Sequence, residues 1–179
     1  GAPAIGIAAA MGLVAVRTER TKGGVREAAD DSGVRERFLG LVDETGRALS
    51  EETTLALAVE TVLGSEVGPV VTNVSTTMAI DRIAARHGAT VIRTPVGQAY
   101  ISEAIVEHGA VIGGEGNGSV AVPRVQPSHD SAAATGLILC HLAAAGEPIS
   151  AIVAGLPQLA MLKEHVPIEP SVIYTALQG

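Results

Sequence analysis

From residue 68 onward, apolar and polar positions follow two alternating rhythms. Short apolar runs bounded by glycine, proline or polar residues predict strands: "VVTNV" at 70–74, "TVIR" at 90–93, "AVI" at 110–112 and "SVAV" at 119–122. Between them the apolar spacing lengthens to that of helices. "STTMAIDRIAARHG" places Met78, Ile80, Ile83 and Ala84 on one side and stops at Gly88, and "QAYISEAIVEHG" ends at Gly109. "SAAATGLILCHLAAAG" starts after Asp130, a good N-cap, and closes at Gly146. Further upstream, Ser50 is positioned to cap "EETTLALAVETVL", which carries its acids in the first turn and stops at Gly64. Strands alternating with helices about a dozen residues long predict a three-layer α/β/α domain, with helices flanking a mixed, largely parallel sheet.

The flanks read differently. "RFLGLVDETGRAL" has an apolar strand at 38–42, a polar turn at 43–46 and a short return, a hairpin-like signal followed by the helix after Ser50. Residues 17–37 crowd charges of both signs around a Gly-Gly pair and read as a loop or linker. The apolar start "GAPAIGIAAAMGLVAV" lacks a basic region ahead of it, which favours a buried element or a truncation edge over a signal-like segment. At the other end Pro157, Pro167 and Pro170 mark a linker, with a short helix after Pro170. The expected division is an irregular segment at 1–37, a remnant of a preceding domain at 38–67, the α/β unit at 68–156 and a linker at 157–179.

Composition narrows the function. The apolar share of 47% is mostly small aliphatic, with no Trp, one Phe (Phe38) and two Tyr (Tyr100, Tyr174), which suits tightly layered α/β packing. A net charge of −7, without a basic stripe or stacking aromatics, argues against nucleic acid as a partner. Cys140 is the single cysteine, so neither a disulfide framework nor a cysteine zinc site is available. Its apolar helical setting predicts a buried thiol. No apolar run reaches the roughly 18 to 20 residues that span a bilayer, so the expected compartment is the cytoplasm and no membrane is expected as a partner.

One stretch is chemically unusual. "IGGEGNGSV" (112–120) sets a lone Glu and a lone Asn among four glycines, where the backbone turns tightly or comes close to something else. A carboxylate and an amide there suit hydroxyl groups, which both donate and accept. A solvated turn is the plainer reading of the stretch alone. Arg93 and Thr94 end a strand, where α/β sheets place ligand loops. Ser128, His129 and Asp130 are adjacent in sequence and cannot converge as a triad, so Asp130 reads as a helix cap. His87 and His108 precede helix-ending glycines, His141 stands next to Cys140, and none of the three is assigned chemistry.

In order along the chain, "VDETGRALSEETTLALAVETVL", "VVTNVSTTMAIDRIAARHGATVIRTPVGQAYI", "VIGGEGNGSVAVPRVQPSHDSAAATGLILCHLAAAG" and "LPQLAMLKEHVP" resemble the α-D-phosphohexomutases, that is the phosphoglucomutases, phosphomannomutases and phosphoglucosamine mutases. The likeness runs from the end of that family's second domain, through its third, to the connection into its fourth, covering about residues 38–179. It implies an enzyme family that moves a phosphoryl group between the 6 and 1 positions of a hexose. A phosphoserine in the first domain donates the group, and Mg2+ is held by a D-x-D-x-D loop in the second. The third domain's loop carries a Glu, commonly in GE-x-SG or GE-x-NG, that hydrogen-bonds sugar hydroxyls. Carried onto this chain, the resemblance makes Glu115 and Asn117 candidate sugar contacts, with Gly114, Gly116 and Gly118 giving the backbone its approach. Thr94 and Gly97 complete the candidate substrate-binding set.

Three departures limit what the resemblance implies. No phosphoserine loop of the T-A-S-H-N-P kind occurs. Asp30, Asp31 and Glu36 are acidic where the metal loop is expected, but their spacing is not D-x-D-x-D. Ala99 stands where the related V-G-D-R-Y or V-G-F-K-Y turn carries a cation. The expectation is therefore a partial chain that holds the sugar-binding domain, binds a glucose, mannose or glucosamine phosphate, and has no catalytic or metal-ligating residues of its own. It is expected to be inactive alone. The alternative is a non-catalytic module that binds sugar phosphate or assembles with another chain or copy through surfaces its neighbours would cover.

Overall fold

The computed structural model describes Leu41 and residues 43–160. The readings of residues 1–37, of the strand ahead of Asp43 apart from Leu41, of Asp30, Asp31 and Glu36, and of the helix after Pro170 lie outside these residues.

Among the described residues, ten elements follow in chain order: helix α1 (Glu52–Leu63), strand β1 (Val70–Asn73), α2 (Ala79–Arg86), β2 (Val91–Thr94), α3 (Gln98–His108), β3 (Ile112–Gly114), β4 (Val120–Val122), β5 (Gln126–His129), α4 (Ser131–Ala145) and α5 (Ile149–Ala154). The five strands form one sheet in the order β2-β1-β3-β4-β5. β1 runs parallel to both β2 and β3, and β4 and β5 return antiparallel. The chain therefore has the mixed α/β sheet that the alternating rhythms predict.

Strand periodicity sorts the core onto two faces. Val70, Ile112, Val120 and Val122 point to the layer of α1, α2 and α4, where they meet Leu55, Val59, Ile80, Ile83 and Ala134. Val71 and Ala121 point to the opposite face, against Ile101, Ala104 and Ile105 of α3. α1 is buried without a break from Thr53 to Val59, because it lies at the centre of its layer between α2, α4 and the sheet. A third cluster gathers Leu57, Ile138, Leu142 and Ile149, with Leu41 and Leu49 from the hairpin-like turn. That turn is present: the Asp43 Oδ1 accepts from the Thr45 and Arg47 backbones, and the Leu49 N–H donates to the Leu41 carbonyl at 2.7 Å.

Most element ends match their sequence signals. Asp130 Oδ1 accepts the Ala133 N–H at 2.9 Å as the α4 cap, and Gly109 and Gly146 end α3 and α4 in the left-handed conformation. At the start of α1, Glu51 rather than Ser50 takes the cap position, while the Ser50 hydroxyl accepts the Glu52 N–H. Three features depart from expectation. β3 is displaced two residues onto Gly113 and Gly114, with the Val111 N–H donating to the Pro69 carbonyl just ahead of it. β5 is a strand of polar residues, recruited by the β4 edge rather than by an apolar pattern. Cys140 is exposed, not buried: Ala134, Ile138 and Leu142 at four-residue spacing form the inward face of α4, and Cys140 is turned away from it.

Candidate functional site

The carboxyl ends of β2, β1 and β3 lie side by side, and their exit loops form one edge of the sheet. The β1 exit begins with an Asn followed by hydroxyl residues, the pattern of an Asx turn. Asn73 Oδ1 accepts from the Ser75 N–H, the Ser75 hydroxyl and the Thr76 hydroxyl at 3.0, 2.9 and 2.8 Å. Its amide Nδ2 is left facing the neighbouring strand and donates to Glu115 Oε1 at 2.7 Å. Thr76 Oγ1 in turn accepts the Gly116 N–H at 2.9 Å. One asparagine and one threonine thus fasten the β1 loop to the glycine loop.

The glycine loop is a tight turn between β3 and β4. The Glu115 N–H donates to the Ser119 carbonyl, the Gly118 N–H donates to the Glu115 carbonyl, and Gly118 sits at φ +88°. Gly116 meets a different demand. A Cβ there would stand 2.3 Å from Glu52 Oε1, so a side chain would displace the carboxylate at the start of α1. That carboxylate also accepts the Thr77 N–H at 3.1 Å through Oε2.

Glu115 itself is 7% exposed, a buried acid at the sheet edge. Its Oε1 is taken by Asn73. Its Oε2 lies 3.7 Å from His129 Nε2, beyond hydrogen-bond reach, and accepts no hydrogen bond among the described residues. His129 ends β5, pairs with Ala121 and shares its α3-facing side of the sheet with Asn73 and Glu115. Its Nε2 is buried without a partner. Burial holds this imidazole below the ordinary histidine range, while the Glu115 charge pushes the other way.

The candidate residues fall at this edge with different environments. Asn117 is exposed, and its Oδ1 accepts the Ser119 N–H at 3.0 Å, closing the turn tip. Gly114 is the last residue of β3, paired with Val120. Thr94 is buried, and its carbonyl accepts the Val74 N–H, joining the β2 and β1 exits. Gly97 precedes α3 at φ +141°, a conformation that favours glycine. Arg93 spends its guanidinium on structure: it donates to the Asn73, Thr76 and Thr77 carbonyls and to Asp81, clamping the β1 loop. The sequence reading did not single out Asn73, Thr76 or Glu52. The Asn-Ser-Thr spacing after a strand signals the first two, whereas Glu52 and His129 reach the site only through tertiary packing.

The family described as phosphoglucomutase/phosphomannomutase, alpha/beta/alpha domain III, matches residues 50–160. The chain belongs to this family. Over 130 residues it is 35% identical to a phosphoglucomutase/phosphomannomutase of Thermococcus kodakarensis, covering 72% of this chain and 28% of that protein. It is 28% identical to a phosphoglucosamine mutase of Nitratidesulfovibrio vulgaris over 169 residues, covering 93% of this chain and 37% of that protein. A crystal structure of a phosphoglucomutase/phosphomannomutase family protein from Burkholderia thailandensis superposes with a TM-score of 0.57 at 25% identity, covering 68% of this chain and 27% of that one. The chain thus spans only 28% to 37% of the length of these two curated relatives. The phosphohexomutase match begins at residue 50 and so includes α1, whose Glu52 touches the glycine loop. Among the described residues, no three or more His, Cys, Asp or Glu are grouped to hold a metal ion. No helix among them is long and apolar enough to cross a membrane.

Proposed function

We propose that this chain supplies the sugar-contacting edge of a phosphohexomutase cleft, binding a glucose, mannose or glucosamine phosphate in the cytoplasm without transferring the phosphoryl group by itself. One observation carries the reading. Glu115 is a carboxylate held from one side by Asn73, with its second oxygen uncommitted, in the ligand-binding position of an α/β sheet. Such a group is oriented before a ligand arrives, and a sugar hydroxyl donating to Oε2 meets no competing bond. Asn117, at the exposed tip of the same turn, is in position to add an amide contact.

Phosphoryl transfer needs a donor, charge neutralisation and in-line positioning. The phosphoserine motif is absent from the 179 residues, and the described acids offer no metal cluster. On this reading the chain holds a sugar and leaves the transfer to other parts of a mutase cleft.

Calorimetric titration with glucose 1-phosphate, mannose 1-phosphate and glucosamine 6-phosphate tests the binding role. Glu115→Gln is expected to weaken the best of these about tenfold, since a hydrogen bond to a charged group contributes about 1.5 kcal/mol or more. Equal affinity in both proteins removes the role given to this carboxylate. Turnover of any of the three by the purified chain with Mg2+ overturns the claim of inactivity.

A second reading has its own observation. Val74, Met78, Val96 and Tyr100 flank the same edge and are each more than half exposed, which suits a surface covered by another domain or chain. Light scattering tests it: a monomer at all concentrations removes self-association.

A further inference from the structure

We propose that His129 is a positioning residue for Glu115 that makes sugar binding at this edge pH-dependent: the neutral imidazole leaves Oε2 free for a hydroxyl, and the imidazolium captures it. The inference rests on the reading of Glu115 as the sugar contact.

Geometry carries the argument. Nε2 of His129 is fully buried and has no hydrogen-bond partner, and Glu115 Oε2 lies 3.7 Å away. Closing that gap to a charged hydrogen bond needs a movement of about 1 Å. In the neutral ring only one nitrogen donates, whereas the cation donates from both. Protonation therefore makes Nε2 a donor whichever tautomer preceded it, and the acceptor facing it is the oxygen left free by Asn73.

The other charged groups around His129 are turned to other partners or lie further along their elements. Asp130 caps α4 through the Ala133 N–H and also accepts from Gln126. β4 carries no charge. On α3, which packs against β5, Gln98 is engaged with Ser128, Tyr100 and Glu103 are exposed, and Glu107 and His108 face each other at the far end. Glu115 is the charge that acts on His129. Burial keeps the imidazole neutral near pH 7, so capture of Oε2 begins only as the solution becomes more acidic.

Two measurements test this. The first follows the His129 ring by NMR through a pH titration, with and without saturating glucose 1-phosphate. Because the ligand is to bind the neutral form, reciprocity requires that it shift the His129 titration to lower pH. Replacing Glu115 with Gln should also lower the His129 titration in the free chain, by removing the charge that favours the cation. A His129 titration that responds to neither change overturns the proposal. The second compares affinity between about pH 8 and about pH 5.5. The wild type should lose about tenfold more affinity over this span than His129→Gln, the ratio cancelling titration of the ligand's own phosphate. If Glu115→Gln binds like the wild type at the higher pH, the sugar-site reading itself falls and takes this one with it. If Glu115→Gln weakens binding but His129→Gln keeps the wild-type pH profile, the sugar site stands and His129 has no part in it.

Discussion

Gly114 offers a sharp test of how the glycine loop is built. It ends β3 opposite Val120, and a Cβ placed on it would stand 2.2 Å from the Ser119 carbonyl oxygen and 2.6 Å from Leu55 Cδ1. The two clashes differ in kind. Leu55 can rotate or shift within its cluster, but the Ser119 oxygen is backbone and accepts the Glu115 N–H at 3.0 Å. Gly114→Ala therefore has to part β3 from β4 by about 1 Å at the mouth of the turn. Overpacking of this sort costs about 1–3 kcal/mol. Losing the Glu115–Ser119 hydrogen bond adds about 1 kcal/mol. The expected loss is about 2–4 kcal/mol, a large part of the roughly 5–15 kcal/mol that stabilises a folded domain. Urea unfolding followed by far-UV circular dichroism measures it, and the series should include Leu55→Ala and the double variant. Leu55→Ala clears only the side-chain clash, so the alanine at 114 should remain costly in that background. A single-variant loss under about 0.5 kcal/mol, or a cost that vanishes once Leu55 is shortened, refutes the backbone-contact argument.

Two further predictions probe the same edge. Asn73→Ala leaves Glu115 Oε1 and the Ser75 and Thr76 donors without their partner, and should lower stability by about 2–3 kcal/mol in thermal or urea unfolding; a change within error would mean that water replaces the amide at no loss. His129 should make stability pH-dependent: its folded pKa is depressed from 6.5, so the unfolded chain binds the extra proton first. The stability it contributes is present above about pH 6.5 and declines as pH falls from there through the folded value, and the wild type should lose stability relative to His129→Gln over that window. A constant difference between the two proteins would show that His129 titrates alike in both states.

The fold was legible wherever local chemistry and burial agree. α2 carries Ile80, Ile83 and Ala84 at helical spacing, although Met78, read with them, is exposed ahead of the helix; Asp130 caps α4, and Gly109 and Gly146 end their helices in the conformation that glycine tolerates best. β5 was not legible, because Gln126, Pro127, Ser128 and His129 carry no strand pattern and pair only because β4 offers an open edge. Cys140 was misread for a related reason. The sequence of α4 is apolar all round, and the positions of α1 and β4 decide which of its faces is covered. At the candidate site, Glu115 drew attention in the sequence by its isolation among glycines. The residue that orients it, Asn73, comes from another strand, and His129, which lies 3.7 Å from its second oxygen, comes from a third, separations that no local pattern reveals.

That dispersal bears on how the site works. Glu115 stands on a loop rich in glycine, whose freedom would ordinarily let a carboxylate wander. Instead, Asn73 grips the side chain, Thr76 grips the next backbone N–H, and Arg93 holds the carbonyls of Asn73, Thr76 and Thr77 from behind. Glu52 reaches from α1 to the Thr77 N–H and closes off the far side of Gly116. Loop flexibility is thus removed by residues outside the loop, and the orientation of the acid becomes a property of the packed sheet edge. A ligand meeting such an acid spends little of its binding free energy on ordering it. Resemblance within the loop alone would therefore be a poor guide to binding. If Glu115 is the sugar contact proposed above, a chain keeping the Glu but losing the Asn at the end of β1 should bind sugar more weakly than its loop sequence suggests, because the acid would have to be oriented by the ligand itself.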